Sequence, residues 1–381
     1  MTGHDVPPSR PSPLLARAGA VAAAGPDAGV AAHYGDPMRE QRELVAGRAV
    51  VDLSHLGVVS VRGPDRLTWL NSLSSQRVLD LSPGESSELL LLDPQGRIEH
   101  AAAVVDDGER TWLITEAAHA PRLAAFLESM RFTLRVVVED ETPDRAVLGV
   151  TAAGLGRLEH AAPSALLWSD PWPTTAPGGA SYGVPDAEHP GSEVRFACAV
   201  VPRGDVAAVV AGVEADGGSL AGASAWEALR VAACRPRLGR EVDDRTVPHE
   251  LDWLRTAVHL SKGCYRGQET VARVVNLGRP PRRLVLLHLD GSEHVLPENG
   301  ATVEHGERPV GRVTSVVRHY EEGPVALAVI RRSVPLDAAL TVGGAAASQV
   351  EVVAADGTSS ARPPERTDLP HVVSLRRGPG V

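Results

Sequence analysis

The chain has 381 residues, of which 43% are hydrophobic and 23% charged, and its formal net charge is −10. This composition is typical of a globular protein with two or three domains, and the acidic balance argues against non-specific binding to nucleic acid or anionic membranes. No apolar stretch reaches the ~18 residues that a membrane span requires. Three widely spaced cysteines give neither a disulfide framework nor a CxxC metal site. We therefore expect a reduced, cytoplasmic protein.

The two ends of the chain differ from its middle in composition. Residues 1–30 are rich in Pro, Ala and Gly with little periodicity, which predicts a flexible N-terminal arm. A secretion signal at residues 14–24 is the alternative, and Arg17 and the preceding prolines disfavour it. Residues 357–381 are polar and contain Pro and Arg, so we predict a disordered tail there.

Between these ends the pattern is mixed α+β. The first clear element is a helix over residues 37–46, with Asp36 as N-cap, Pro37 at the first helical position and Gly47 after the last turn. The elements predicted next are strands at 58–61, 88–92 and 98–105, a helix at 121–130, strands at 134–138 and 147–150, and a helix at 206–213. Residues 154–192 are compatible with one long excursion or with two short strands.

The C-terminal third changes character. Short apolar runs separated by Gly and Pro turns occur at 284–289, 301–304, 310–317 and 325–330. This spacing is typical of a small antiparallel barrel. We place a domain boundary near residues 280–281.

One lysine stands out among the 38 basic residues, because the other 37 are arginines. Since an ammonium and a guanidinium are not interchangeable at a specific site, Lys262 indicates a position that needs the compact group. Chance survival is the alternative. Lys262 also begins the most unusual segment of the chain.

That segment is Lys262-Gly263-Cys264-Tyr265-Arg266-Gly267-Gln268-Glu269. Its two glycines permit tight turns, and Gln268 and Glu269 open a helix with an apolar valine face. Cys264 thus precedes a helix N-terminus between two cations, which favours the reactive thiolate. The alternative is a tight turn that docks a helix and buries an inert thiol.

A second candidate site lies at residues 224–230. Ser224 and Glu227 form a predicted capping box, and Trp226 and Arg230 share a helix face. An aromatic plane beside a guanidinium suits a flat heterocycle with an anionic tail. The alternative places Trp226 in the core and Arg230 in a salt bridge. A weaker candidate is His100, for which a surface pair with Glu99 is the simpler interpretation.

Residues 262–273 resemble the KGCYxGQE-x-VAR signature of YgfZ-type folate-binding proteins. Residues 33–35, 51–57 and 61–65 look like the amino-terminal pattern shared with glycine-cleavage aminomethyltransferases, and residues 310–315 are similar to the barrel motif of that superfamily. The resemblance covers about residues 33–350.

The resemblance implies an α+β, aminomethyltransferase-like fold. Two interlocked α+β domains (residues 31–280) would surround a central folate-binding channel, and residues 281–356 would form a C-terminal antiparallel β-barrel. Tetrahydrofolate or a one-carbon derivative is the implied cofactor, and the residues that the resemblance and the local pattern assign to it are Leu56, Trp226, Arg230 and His100. Cys264 and Lys262, with their neighbours through Glu269, are the implied functional motif.

The same resemblance implies an accessory role in iron–sulfur cluster assembly or repair, and through it in tRNA thiomethylation. Iron–sulfur client or assembly proteins are the implied partners of an expected monomer that forms no stable complex with nucleic acid or membranes. The Asp pair of aminomethyltransferases is absent, because its place falls on His100 and Ala101 or on Glu99 and His100. Glu88 replaces an expected tyrosine and Cys198 a pterin-anchoring glutamate. A folate-dependent aminomethyltransferase and a non-catalytic scaffold are the alternatives.

Overall fold

The structure, a computed structural model, describes residues 10–292 and 296–364. Its α-helices are α1 (Pro37–Val45), α2 (Arg66–Leu73), α3 (Ala120–Ser129), α4 (Leu155–Ala161), α5 (Val206–Ala215), α6 (Ala223–Ala232), α7 (Leu238–Glu241), α8 (Leu254–Ala257) and α9 (Gln268–Asn276). Short 3₁₀ turns lie at Pro13–Ala16, Gly25–Asp27, Ala152–Gly154, Asp186–Glu188, Pro190–Ser192, Arg203–Asp205 and Pro248–Leu251. Among these helices, none is both long and apolar enough to cross a bilayer.

The strands are β1 (Val21–Ala22), β2 (Ala31–His33), β3 (Ala49–Asp52), β4 (Leu56–Arg62), β5 (Ser86–Leu92), β6 (Ile98–Asp106), β7 (Arg110–Glu116), β8 (Val137–Asp140), β9 (Arg145–Thr151), β10 (Leu166–Ser169), β11 (Phe196–Pro202), β12 (Ser219–Ala221), β13 (Arg282–Leu289), β14 (Thr302–His305), β15 (Arg308–His319), β16 (Gly323–Arg331), β17 (Leu340–Val342) and β18 (Ala345–Glu351).

Two five-stranded sheets form the body of the molecule. The first has the order β5-β6-β7-β4-β8, and the second has the order β10-β11-β9-β3-β12. Each sheet packs one face on helices and turns the other toward its partner sheet, and one apolar cluster joins the two inner faces. Because both faces are buried, strands such as β5 read as continuous apolar runs instead of alternating ones.

The C-terminal strands close a six-stranded antiparallel barrel in the order β13-β16-β15-β14-β17-β18, with β18 pairing back to β13. Helix α6 packs against β15, so the barrel covers one end of the sheet pair. The predicted fold class, two α+β units and an antiparallel barrel, is confirmed.

Most predicted elements are present with small shifts at their ends. The side chain of Asp36 accepts a hydrogen bond from the Arg39 amide (3.0 Å) and so caps α1 as predicted. Residues 154–192 form helix α4 and the single strand β10, which matches neither predicted alternative. The sequence patterns did not reveal α2, α7 and α8 or the strands β3, β7, β11, β12, β17 and β18.

The prediction of a flexible arm over residues 1–30 is wrong for residues 10–30. Leu14 is buried in the cluster under α5, and Ser12 donates a hydrogen bond to the buried Asp52. Strand β1 pairs with β2. Isolated buried residues hold this segment, and they produce no periodic signal. Residues 1–9 lie outside the described residues.

The predicted disordered tail, residues 357–381, is also partly ordered. Ser359 is buried, and the Ser360 amide donates to the Ser181 carbonyl over 2.9 Å. These contacts anchor the segment that follows the barrel to the long loop after β10. Residues 365–381 lie outside the described residues.

Candidate functional site

A cavity lies between the inner faces of the two sheets. We call it the central cavity; its volume is about 150 Å³ and it opens to solvent. Its apolar wall comes from both sheets and from α6, and consists of Leu53, Leu56, Ala103, Ile114, Trp168, Phe196 and Trp226. A concave, mostly apolar pocket with a few buried polar groups is the usual form of a small-molecule site.

Trp226 and Leu56, which the resemblance assigns to folate, both line this cavity. The Trp226 ring lies 4.7 Å from the Phe196 ring, centroid to centroid, in a tilted arrangement. Its edge packs against Gly149 of β9, where an added Cβ would come within 2.7 Å of the indole. A glycine on the facing strand therefore makes the room that the indole occupies.

Arg230 also lines the cavity, but its guanidinium is fully engaged within the protein. It forms a two-pronged ion pair with Glu227 (3.0 and 3.1 Å) and a second pair with Glu241 (3.0 Å). Its remaining contacts are the Arg235 carbonyl (2.6 Å) and the Ser315 hydroxyl (2.7 Å). The expectation of a guanidinium available to a ligand is therefore corrected, and the salt-bridge alternative describes Arg230.

The pairing of Glu227 also corrects the predicted capping box. Helix α6 begins after Gly222, which offers no side chain as a cap, and Ser224 lies inside the helix. Glu227 instead turns its carboxylate to Arg230 and to Arg237 (3.0 Å). A buried acid beside two guanidiniums is more stabilised there than at a helix end.

The same ion-pair network ties the barrel to the cavity. Ser315 and Thr314 of β15 donate their hydroxyls to Glu241, over 2.6 and 2.9 Å. Both residues belong to the 310–315 segment noted in the sequence. That segment therefore joins the barrel to the base of α6.

One polar end of the cavity is built around Arg237. Its guanidinium pairs with Glu116 on β7 (2.7 and 2.9 Å) and with Asp27 of the N-terminal segment (2.6 Å). Asp27 also pairs with Arg240 (2.9 Å) and lies 3.4 Å from His55 Nε2. Burial raises the pKa of Asp27, but the His55 hydrogen bond and the charges of Arg237 and Arg240 together hold it well below its ordinary value.

The other polar end is built around Arg235. Its guanidinium donates to Glu88 on β5 (2.6 Å) and to Asp170 (3.0 Å). It also lies over the rings of Trp172 and Trp253, at 5.4 and 5.8 Å from their centroids. The Nη1 atom of Arg235 is buried and has no hydrogen-bond partner among the described residues.

The two ends are separated along the first sheet. Glu88 on β5 is level with Ile114 on β7, which lies two strands away across the sheet. Glu116 lies two residues further along β7 than Ile114. Two strand spacings and two residue rises put the two backbone positions roughly 12 Å apart. The cavity thus has a hydrogen-bonding group at each end and an apolar middle.

Burial also changes the pKa values of an acid and a thiol at the Arg235 end. Burial raises the pKa of Asp170 to about 6, with Arg235 lowering it and Glu88 raising it. Burial likewise raises the pKa of the Cys198 thiol, so it stays protonated. Cys198, which replaces the expected glutamate, therefore gives the cavity no negative charge, and Glu88 and Asp170 supply it instead.

His100 lies outside this cavity, which corrects its expected role at the folate site. Its cross-strand neighbour is Leu91, on the sheet face that packs under α2 and α3, and its ring lies 5.8 Å from Phe126. Burial lowers the pKa of His100 to about 4. The simpler interpretation as a surface residue paired with Glu99 is also wrong, because His100 is buried.

The residues 262–269, which we call the motif segment, lie apart from the cavity lining. Gly267 has φ +85°, and an added Cβ would come within 2.5 Å of the Asp93 carbonyl. The segment therefore docks on the β5–β6 turn, where Arg266 pairs with Glu99 (2.7 Å). Gly263 needs neither a positive φ nor space for packing, since a Cβ there would meet open space.

Lys262 is a clamp within the protein. Its buried ammonium donates to three backbone carbonyls at the end of α2, those of Asn71 (2.6 Å), Ser74 (2.7 Å) and Gln76 (2.7 Å). Burial lowers the pKa of Lys262 to about 8, with a smaller contribution from Arg77. Three converging acceptors suit a compact ammonium better than a planar guanidinium, which accounts for the lone lysine.

The remaining motif residues divide into buried and exposed members. Tyr265 is buried, and its ring centroid lies 5.4 Å from the Lys262 ammonium. Gln268 begins α9 and donates to the Lys262 carbonyl over 3.3 Å, whereas Glu269 is exposed. Cys264 is exposed as well, unlike the other two cysteines. The alternative of a buried thiol is therefore wrong for Cys264.

Sequence reasoning missed the residues that give the cavity its charge. Arg235, Arg237 and Asp27 lie in loops and turns and belong to none of the recognised motifs. The dense run of basic residues from Arg230 to Arg240 was a possible signal. The role of these basic residues depends on their ion pairs with acids from four distant segments. The sequence alone could not show those pairs.

The fold is aminomethyltransferase-like. Residues 20–153 match the family described as GCVT N-terminal domain, and residues 282–356 match the CAF17 C-terminal β-barrel domain. The chain also resembles the glycine cleavage system aminomethyltransferase T from Bartonella henselae, with a TM-score of 0.71 at 20% identity over 91% of this chain and 97% of that one. That likeness shows the fold.

The sequence comparisons agree with the structural comparison. An aminomethyltransferase of Thermus thermophilus is 28% identical over 317 residues, which cover 77% of this chain and 87% of the relative. A putative chloroplastic transferase of Arabidopsis thaliana is 26% identical over 277 residues, which cover 71% of this chain and 62% of the relative. The chain thus spans less than two thirds of the plant relative. Together these matches support assignment to the T-protein (aminomethyltransferase) superfamily.

Proposed function

We propose that the protein binds tetrahydrofolate, or a one-carbon derivative of it, in the central cavity and acts as an accessory protein in iron–sulfur cluster assembly or repair. Through such a client it would support tRNA thiomethylation. The observation that carries the proposal is the cavity between the sheets, with Trp226 and Leu56 in its apolar wall and a polar group at each end. The match of the C-terminal barrel to the CAF17 domain supports the iron–sulfur side of the proposal.

The residues at the Arg235 end fit the pterin ring of a folate. A pterin carries a carbonyl oxygen and N–H groups along one edge, so it needs both a donor and acceptors. Arg235 has a buried N–H without a partner among the described residues, and buried donors of this kind call for an acceptor. Glu88 and Asp170 beside it can accept from ring N–H groups. Folate would supply its one-carbon unit there.

The motif segment supports a role at the protein surface. Cys264 is exposed, and Gly263 beside it leaves open space. No cluster of three or more His, Cys, Asp or Glu suited to a metal occurs within residues 10–292 and 296–364, and iron–sulfur clusters usually need several thiolates. We therefore propose that Cys264 contributes a single thiol to a transient complex with a client or assembly protein.

The alternative function is a folate-dependent aminomethyltransferase. Ala101 lines the cavity at one of the positions where the resemblance to aminomethyltransferases would place a carboxylate, and the adjoining His100 points to the opposite face. General acid–base assistance typically contributes ~10²–10⁴-fold to a rate, so we expect no aminomethyl transfer above background. Robust turnover with the other glycine-cleavage components would favour the enzyme.

The experiment that tests the proposal is complementation of a cell that lacks its own YgfZ-type protein. The readout is tRNA thiomethylation, with protein abundance measured in parallel. We expect wild type and Ala346→Leu, an exposed control on the barrel, to restore thiomethylation. Ala103→Leu, which fills the cavity, and Cys264→Ala should both fail while accumulating normally. Full rescue by both variants would contradict the proposal.

A further inference from the structure

The Arg237 end of the cavity is closed by a single acid from the N-terminal segment. Asp27 lies in the loop between β1 and β2, and it is the only buried residue of positions 24–29. Its two carboxylate oxygens face Arg237 (2.6 Å) and Arg240 (2.9 Å). Gly25 and Gly29, with φ of +64° and +104°, flank it in the loop. The loop therefore reaches the cavity through one side chain.

Asp27 lies in the wall that separates the central cavity from a second pocket. It lines the central cavity and also an outer groove bounded by α1, α6 and the barrel, and Glu227 is the other residue common to both. A chain of ion pairs fills this wall. Arg237 lines the cavity and Arg240 lines the groove, so a carboxylate that takes the place of Asp27 would meet both guanidiniums.

The charges of this wall leave no place for an additional anion. The acids are Asp27, Glu116, Glu227 and Glu241, and the guanidiniums facing them are those of Arg230, Arg237 and Arg240. With four carboxylates against three guanidiniums, an incoming carboxylate would meet excess negative charge. It becomes favourable when it replaces one of the four, because each guanidinium then keeps its partner.

Of the four acids, Asp27 is the one that can leave. Glu116 is on a central strand, Glu227 is on α6, and Glu241 is held by two barrel hydroxyls. Asp27 is instead carried by a surface loop. His55 would remain beside the position that Asp27 leaves, since its Nε2 lies 3.4 Å from both Asp27 Oδ1 and Arg237 Nη2, and its Nδ1 is buried without a partner among the described residues.

We infer that Arg237 and Arg240 form a binding site for a ligand carboxylate, and that Asp27 occupies this site as an internal substitute until the ligand displaces it. The inference rests on the proposed folate function, since the glutamate tail of a folate carries such carboxylates. With the heterocycle at the Arg235 end, the tail would extend toward Arg237, roughly 12 Å away along the sheet. The 23–30 loop then acts as a lid held by one ion pair.

Asp27→Asn tests the inference, because it keeps the side-chain shape and removes the competing charge. The probes are 5-formyltetrahydrofolate, which has two carboxylates, and 6-methyltetrahydropterin, which has none. We expect titration calorimetry to show ~10-fold tighter binding of the folate by Asp27→Asn, about 1.4 kcal/mol, because a neutral amide competes less strongly for the guanidiniums than a carboxylate does. The affinity for the pterin should not change. The control is Asp80→Asn, the same change at an exposed acid paired with Arg77 outside the cavity.

The outcomes of the titration distinguish failure of the Asp27 inference from failure of the proposed function. An equal gain for both probes, or no gain for the folate, would overturn the competition between Asp27 and a ligand carboxylate while leaving folate binding intact. Absence of folate binding by wild type and by Asp27→Asn, with both proteins folded by thermal melt, would overturn the proposed function itself and the inference with it.

Hydrogen exchange of wild type provides a readout of the displacement. In the structure the Ala28 amide donates to the Gly25 carbonyl (3.1 Å), and the Ala23 amide donates to the Val30 carbonyl (2.9 Å). We expect 5-formyltetrahydrofolate to accelerate exchange in the peptide spanning residues 21–31, and 6-methyltetrahydropterin to leave it unchanged. Slower exchange with the folate would mean that the loop closes over the ligand, and it would contradict displacement of Asp27.

Discussion

The central cavity and the motif segment differ in how they are built and in how clearly the sequence reveals them. The acids and arginines of the cavity come from the first sheet, the segment after β10, α6 with the loop that follows it, and the N-terminal loop, and most of them are inconspicuous in the sequence. The motif segment is eight consecutive residues with an unmistakable pattern, yet it lies on the β5–β6 turn and contributes no residue to the cavity wall.

This difference teaches that a conspicuous motif and a buried binding site need not coincide. Within the motif segment the pattern itself has two origins. Lys262, Tyr265 and Gly267 are explained by contacts inside the protein, whereas Gly263 and Cys264 are exposed and have no internal explanation. The exposed pair is therefore where an external partner would act.

The largest expected effect separates the cavity arginines from those of the motif segment. Arg230→Met would leave Glu227 and Glu241 buried with fewer partners, and removing one member of a buried ion-pair network typically destabilises by about 3–5 kcal/mol. Denaturant unfolding should show this loss. The control is Arg266→Met, which breaks the exposed pair with Glu99 and should cost less than about 1 kcal/mol. Equal effects of the two variants would contradict the distinction.

A smaller effect is expected at Lys262, and it tests whether this residue is a clamp. Lys262→Met removes the donor shared by three carbonyls at the end of α2, and leaving buried acceptors unsatisfied costs about 1–3 kcal/mol. Lys262→Arg should also lower the free energy of unfolding, because its planar fork does not fit three converging oxygens. Unchanged stability in both variants, combined with lost client activity, would show that Lys262 has a functional role and not a structural one.

A third prediction concerns pH and the link between α9 and the protein body. His249 is fully buried, with Nε2 3.2 Å from the Val271 carbonyl, and burial lowers its pKa to about 4. Below pH 6.5 the unfolded chain takes up a proton that the folded protein refuses until about pH 4. Stability is therefore complete above pH 6.5 and falls as the pH drops toward 4, by up to about 3 kcal/mol for this residue.

His249→Gln removes this titration and retains a donor for Val271. Urea unfolding between pH 7 and 4 should show that the variant, less stable at pH 7, approaches wild type as the pH falls. His305→Gln, at an exposed position on the barrel, should follow wild type at every pH. A gap between His249→Gln and wild type that stays constant with pH would show that the histidine is not held neutral by burial.

The sequence predicted the elements whose signal is local. Helix α1 has a capping aspartate and a first-turn proline, and the barrel strands are separated by regular turns, so both were found. The capping box at Ser224 failed because Glu227 gains more from two buried guanidiniums than from a helix end. The ordered 10–30 segment was missed because Leu14 and Asp27 are held by partners about 40 to more than 200 positions away.

The candidate site was predictable only in part for the same reason. Trp226 and Leu56, which the resemblance assigns to folate, line the cavity, but the spacing of Trp226 and Arg230 could not show that every donor of Arg230 is already used. Period-2 alternation on β6 could have placed His100 on the face opposite Ala101. Which of these faces borders the cavity depends on the second sheet, and that is tertiary information.

The measurement that tests the central claim most directly is a calorimetric titration of tetrahydrofolate into wild type, Ala103→Leu and Cys264→Ala. If folate binds between the sheets and apart from the motif segment, wild type and Cys264→Ala will bind with equal affinity. Ala103→Leu, with a larger side chain in the cavity and an unchanged melting temperature, will lose at least ~10-fold in affinity, about 1.4 kcal/mol. Equal binding by all three proteins, or binding lost only in Cys264→Ala, would contradict the account.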